Sequence, residues 1–344
     1  MEDDGRAALR PVRLWLWTGC ALIACMVAIG GITRLTGSGL SITEWKPIMG
    51  ALPPLDEAQW EEAFSKYRSI PEYELVNPHM GLAGFKRIFF WEYLHRNWGR
   101  LMGLVFIVPF ALFWRKGLLR GWLLRRGWAI LLGGGTVGAL GWFMVMSGLS
   151  DRPDVSHYRL AIHLCAAFAV FGLVYWTLLD LRDGRRGCAS DGGAAGRWAR
   201  VLLVLLTAQI VWGAFTAGMD AGHIYNTWPL MNGEVMPENV TAFDGFWKNF
   251  SDHRDGVQFV HRNLAWVVAA GFIAFALRWR RDAALRRATG WILAVVALQF
   301  ALGVLTLLTR THIVLAVAHQ VGALLLLATL LTALHRTGRP LDAA

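Results

Sequence analysis

The chain has 344 residues, of which 55% are apolar and only 17% charged. Soluble domains carry about 25% charged residues, so the composition excludes a disordered chain, a coiled coil or a disulfide scaffold and favours an integral membrane protein. The formal charge of +10 would suggest nucleic acid in a soluble chain; here it asks which side of a membrane holds the basic residues. With 18 Trp and 18 Phe, the chain is well supplied for interfacial belts and cofactor pockets.

In chain order, the polar start Met1–Arg13 lacks an A-x-A cleavage pattern, so the first apolar run is expected to be retained as a span. A span needs about 20 mostly apolar residues. Eight stretches qualify: 14–33, 92–114, 127–148, 157–179, 198–218, 257–277, 289–309 and 312–334. Between the first two, Asp56–Tyr67 places Trp60, Phe64 and Tyr67 on one helical face after an acidic first turn. That pattern predicts a short helix lying on the outer membrane surface. Only Arg310-Thr311 separates the last two spans, so a tight turn must join them. Cys20, Cys25, Cys165 and Cys188 show no metal-ligand spacing and read as inert small hydrophobes.

The connectors alternate in charge. Residues 115–126, 180–197 and 278–288 are rich in arginine, while 34–91, 149–156, 219–256 and 310–311 are mixed or acidic. Sorted by side, the chain ends and the first set hold 20 basic and 8 acidic residues, the other side 14 and 16. Excess Lys and Arg marks the cytoplasmic face. Both termini are therefore expected in the cytoplasm, with loops 34–91 and 219–256 outside, and no nucleic-acid partner is expected.

The chain repeats itself. Gly30-x-x-Thr33 with Gly39 matches Gly213-x-x-Thr216 with Gly222. Gln209-x-x-x-Gly213 recurs as Gln299-x-x-x-Gly303, and His95-Arg96-Asn97 as His261-Arg262-Asn263. The predicted fold is all-α: a polytopic membrane protein of eight transmembrane helices forming two pseudo-repeated four-helix bundles. The expected division is 1–183 and 197–344, joined by a cytoplasmic Gly-rich linker at 184–196.

Four histidines fall inside spans: His95, His163, His261 and His319. In each half they occupy the second and fourth helices, which run the same way, and all four lie within one or two turns of the outer side. Two imidazoles at matching depth on parallel helices suit a haem held within a four-helix bundle. Zinc sites close with four ligands or take three in catalysis, and each half offers two. An ionisable residue in a span is costly and is retained for function. His79, His157, His223, His253, His312 and His335 lie in loops or at helix ends and read as structural.

Arg96 and Arg262 each follow one of these histidines. A guanidinium there could pair with haem propionates; the blander alternative is an arginine snorkelling to the interface. Glu92 lies one turn before His95, where the second half has Gln258 before His261. A carboxylate on that face could stabilise positive charge or take a proton at the haem edge; otherwise it is a solvated surface acid. The asymmetry suggests different tasks for the two halves.

Taken together, Gly30-Gly-Ile-Thr-Arg-Leu-Thr-Gly-Ser-Gly-Leu-Ser, Thr43-Glu-Trp-Lys-Pro, Glu92-Tyr-Leu-His-Arg, Ala217-Gly-Met-Asp-Ala-Gly, Tyr225-Asn-Thr-Trp-Pro-Leu-Met-Asn-Gly and Gln258-Phe-Val-His-Arg resemble the haem A synthase family. The likeness is to its alphaproteobacterial and mitochondrial type and covers about residues 14–335. It implies oxidation of the C8 methyl of haem O to a formyl group, giving haem A for cytochrome oxidase. Successive hydroxylations would give a geminal diol that loses water, with oxygen derived from water and an electron acceptor the sequence does not name.

The resemblance also implies that His95 and His163 hold the substrate haem, that His261 and His319 hold a permanent haem b, and that Glu92 is the acidic catalytic residue. Haem O synthase and oxidase assembly factors would be partners in a bacterial inner membrane, and homo-oligomerisation is left open. Some family members carry a cysteine pair in the outer loops; 34–91 and 219–256 contain none, which places this chain with the cysteine-free branch. Two alternatives stand beside this reading: a diheme b-type electron-transfer cytochrome, and a carrier that binds haem O or haem A and releases it unchanged.

Overall fold

The computed structural model describes residues 8–45, 49–149, 153–184 and 193–338, and every regular element among them is helical. All eight expected spans are present: α1 (Arg10–Leu35), α4 (Leu82–Arg115), α5 (Gly121–Val145), α6 (His157–Asp183), α7 (Gly193–Gly218), α9 (Arg254–Trp279), α10 (Arg286–Leu308) and α11 (Ile313–Thr337). The shortest, α10, has 23 residues; at 1.5 Å per residue it is about 34 Å long, enough to cross a hydrocarbon layer of ~30 Å. Arg310 and Thr311 join α10 to α11 with φ of 52° and 59°, the left-handed turn that so short a connection requires. Cys188, most of the expected linker (185–192) and Lys46-Pro47 lie outside the described residues.

The second span begins a decade of residues before its apolar stretch. Leu82–Trp91 continues α4 beyond the predicted start, because Phe85, Ile88 and Phe89 form a helical stripe with a partner waiting. That partner is α2 (Glu57–Arg68), whose N-terminus is capped by Asp56 accepting from the Gln59 N–H. Phe64 and Tyr67 pack on Phe85 at 5.2 and 5.3 Å between ring centroids, and Trp60 on Phe89 at 5.0 Å. The amphipathic face expected to lie on lipid is thus covered by protein. Burying an aromatic side chain is worth roughly 1.5–3 kcal/mol, so this cluster accounts for the departure. A short helix, α3 (Pro71–Leu75), follows α2, and α8 (Phe246–Ser251) precedes α9.

The spans form two rings, α1-α4-α5-α6 and α7-α9-α10-α11, with α1 and α6 of the first against α7 and α11 of the second. One continuous core crosses this seam, with Phe168, Phe171 and Val174 joined to Leu202, Leu327 and Leu331. Both ends of the seam are fastened. Beside the long connectors, Arg34 donates to the Ala217 carbonyl at 2.8 Å and to Asp220 at 3.1 Å. At the opposite end the wholly buried His335 contacts Asp180 at 3.0 Å. The rings differ in closure: α9 packs along α10, whereas α4 and α5 touch only briefly.

Candidate functional site

Each of the four span histidines rests on a glycine of the helix before it. A Cβ added at Gly30 would stand 3.0 Å from the His95 ring, at Gly141 3.1 Å from His163, at Gly213 3.0 Å from His261, and at Gly303 2.9 Å from His319. A mid-helix glycine costs about 1 kcal/mol relative to alanine. Here it admits an imidazole to the helix surface that any larger residue would displace. The repeat Gly-x-x-Thr seen in the sequence is therefore a histidine seat, and Gly141, followed by Met144 in place of threonine, is a fourth seat outside the repeat.

At three of the four seats the residue four positions before the glycine meets Nδ1. The His163 ring contacts the Val137 carbonyl at 3.1 Å, and His319 the Gln299 carbonyl at 3.2 Å. At His261 the Gln209 side-chain nitrogen lies 3.1 Å from Nδ1 and donates to the His261 carbonyl at 3.0 Å. A carbonyl at Nδ1, as at His163 and His319, takes the N–H there, fixes the ring and leaves Nε2 free to ligate.

The His261 and His319 rings stand 6.4 Å apart between centroids, with planes at 86°. A metal–imidazole bond is about 2 Å long, so one ion gripped from opposite sides puts the centroids roughly 6 Å apart. The pair therefore fits a single central ion. Among the described residues no three His, Cys, Asp or Glu side chains converge. Two imidazoles suffice when a macrocycle supplies the other ligands, as in haem.

Glu92 is buried, at 3% exposure, and is no solvated surface acid. One oxygen accepts from the Ser41 hydroxyl at 2.7 Å and the Ile42 N–H at 2.8 Å. The other accepts from Arg96 Nη2 at 2.6 Å and Nε at 3.0 Å. Arg96 also donates to the carbonyls of Ile42 and Glu44, at 2.6 and 2.9 Å. In the second half Gln258 donates to the Tyr225 carbonyl at 3.1 Å, and Arg262 to the carbonyls of Thr227 and Leu230 at 2.8 and 3.1 Å. Both arginines thus clasp a connector to a histidine-bearing helix, which explains why these sequence motifs occur together.

Sequence reasoning passed over three features. Gln209 and Gln299 were visible as a repeat, but their contact with the imidazoles was not. Met26 occupies the same register beneath His95. Glu72 of α3 is buried, with one carboxylate oxygen unpartnered among the described residues. Burial, then the neighbouring Glu92 charge, raises its pKa to about 7, against the Tyr67 hydrogen bond and Arg34, which lower it. Nothing in the sequence distinguishes Glu72 from the exposed acids around it.

The family described as cytochrome oxidase assembly protein matches residues 13–331. The haem A synthase of Rhodospirillum centenum is 46% identical over 96% of this chain and 89% of its own length. That of Maricaulis maris is 46% identical over 94% and 95%, and that of Nitrosospira multiformis 42% identical over 98% and 96%. With eight helices of membrane-spanning length among the described residues, four seated imidazoles and a likeness running almost end to end, the chain belongs to the haem A synthase family.

Proposed function

We propose that this chain oxidises the C8 methyl of haem O to the formyl group of haem A, with the first ring holding the substrate and the second a permanent haem b. The observation that carries the two-site reading is the His261–His319 pair, spaced for one ion, together with its glycine seats and their equivalents around His95 and His163. Haem b, when bound, supplies one-electron transfer. His95 and His163 orient the substrate, and α4 presents Glu92 one turn from His95. Both Glu92 oxygens already accept hydrogen bonds, so stabilising positive charge that develops at the substrate methyl suits it better than taking up a proton. No equivalent carboxylate stands beside His261, where Gln258 replaces it. Arg96 and Arg262 keep the connectors closed over the histidine-bearing helices.

The added oxygen comes from water, and the electrons pass to an external acceptor. The arginine-rich connectors support an orientation in a bacterial inner membrane with both termini cytoplasmic and the loops 34–91 and 219–256 outside. Haem O synthase and oxidase assembly factors are the expected partners. Pigment analysis of protein purified with and without a haem O supply tests the reading. Haem b in both preparations, with haem O or A added only in the first, supports it. Haem b alone at two per chain in both would make the chain a diheme cytochrome instead.

A further inference from the structure

The four histidine seats are alike except in one respect. In each, Cε1 lies nearest the glycine and Nδ1 next, so the rings are presented in the same way. Nδ1 meets the Val137 carbonyl at His163, the Gln299 carbonyl at His319 and the Gln209 amide at His261. At His95 the register position belongs to Met26, and the buried Nδ1 has no hydrogen-bond partner among the described residues. Unlike those of Val137 and Gln299, the Met26 carbonyl makes no such bond, and its thioether is only a weak acceptor. The Met26 methyl is also directed elsewhere, 3.6 Å from where a Cβ on Gly99 would stand, one turn beyond His95.

A ligand histidine that donates its second N–H gains a fixed orientation and a more basic ligand nitrogen; losing such a partner typically costs 10–100-fold in metal affinity. A permanent cofactor benefits from two anchored ligands. A haem that must leave as product needs one iron–imidazole bond that breaks readily. The second ring has polar partners at both imidazoles; the first has one at His163 and none at His95.

We propose that Met26 is a positioning residue that makes His95 the exchangeable ligand, letting the haem of the first ring depart while His163 stays anchored. This rests on the reading that the first ring holds the haem that turns over. Gln209 is the counterpart that retains the haem of the second ring. Its Nε2 donates to the His261 carbonyl at 3.0 Å and lies 3.1 Å from Nδ1, which holds the amide against that ring.

The test exchanges the two residues in the full-length protein, with Met26→Gln and Gln209→Met made separately and Met26→Leu as a packing control. Haem loss to excess apomyoglobin is followed for each pigment by its own spectrum, and the midpoint potential of each haem is measured. Met26→Gln should slow release of haem O or A by about 10–100-fold and lower that haem's potential, leaving haem b unchanged. Gln209→Met should speed loss of haem b by a similar factor, and Met26→Leu should release haem as the wild type does. Haem present in the first ring but released at the wild-type rate from Met26→Gln, or haem b retained equally by Gln209→Met, would overturn the inference while leaving the two-site reading intact. A first ring that takes up no haem when haem O is supplied would overturn both.

Discussion

The Arg96 guanidinium brings two N–H donors onto a single Glu92 oxygen, at 2.6 and 3.0 Å, while the other oxygen is taken by Ser41 and Ile42. One buried carboxylate therefore ties the segment after α1 to the helix that carries His95. Its counterpart Gln258 performs the tethering without the charge.

Removing that charge should separate binding from chemistry. Glu92→Gln keeps the shape of the site and should still bind haem O, with conversion to haem A slowed roughly 10²–10³-fold, as when a single electrostatic stabiliser is deleted. Arg96→Ala instead leaves a buried carboxylate without its ion partner, a change that typically costs about 3–5 kcal/mol. It should lower the thermal midpoint as well as activity. Equal loss of stability in both variants, with haem A still made by Glu92→Gln, would reduce Glu92 to a structural tether.

The glycine seats predict a sharp positional contrast. Gly213→Ala or Gly303→Ala pushes a methyl onto the His261 or His319 ring and should deplete haem b. Gly30→Ala or Gly141→Ala should deplete the substrate pigment instead. Gly134 and Gly138, on the same helix as Gly141, would meet nothing within 4 Å. Alanine there should keep full pigment and add up to about 1 kcal/mol of helix stability. Pigment-to-protein ratios of the six variants decide the matter.

Glu72 gives the connector side a pH signature. Its folded pKa, about 7, lies above its ordinary value near 4.5, so the folded state holds the proton more tightly. Its contribution is fully present below about pH 4.5 and is lost as pH rises through 7. The loss should total roughly 3 kcal/mol at most, at 1.36 kcal/mol per pH unit. Glu72→Gln should flatten the stability profile between pH 4.5 and 7 and be the more stable protein at pH 8. Thermal midpoints across that range provide the check; parallel profiles for variant and wild type would contradict it.

Long-range order was legible where one residue type carries one physical demand. Apolar length marked the eight spans, histidines repeated at matching depth marked the pairs, and the two-residue link Arg310-Thr311 announced its turn. Where a partner comes from afar, the sequence is silent. Leu82–Trp91 is not uniformly apolar, and only α2 shows why it is helical. Besides Arg96, the donors to Glu92 lie about fifty residues earlier, at Ser41 and Ile42. Gly141 escaped the repeat because Met144 stands where the other three seats have threonine. The anchors of His163 and His319 are backbone carbonyls, which every residue possesses, so no side-chain pattern reveals them.

The central claim is that the two histidine pairs hold two haems with different fates. It is tested most directly by pigment content in His95→Ala, His163→Ala, His261→Ala and His319→Ala, each purified with haem O supplied and confirmed as folded. Loss of haem b only in the last two, with loss of haem O and A from the first two while haem b is kept, is the expected pattern. Equal depletion of every pigment in all four folded variants would contradict it.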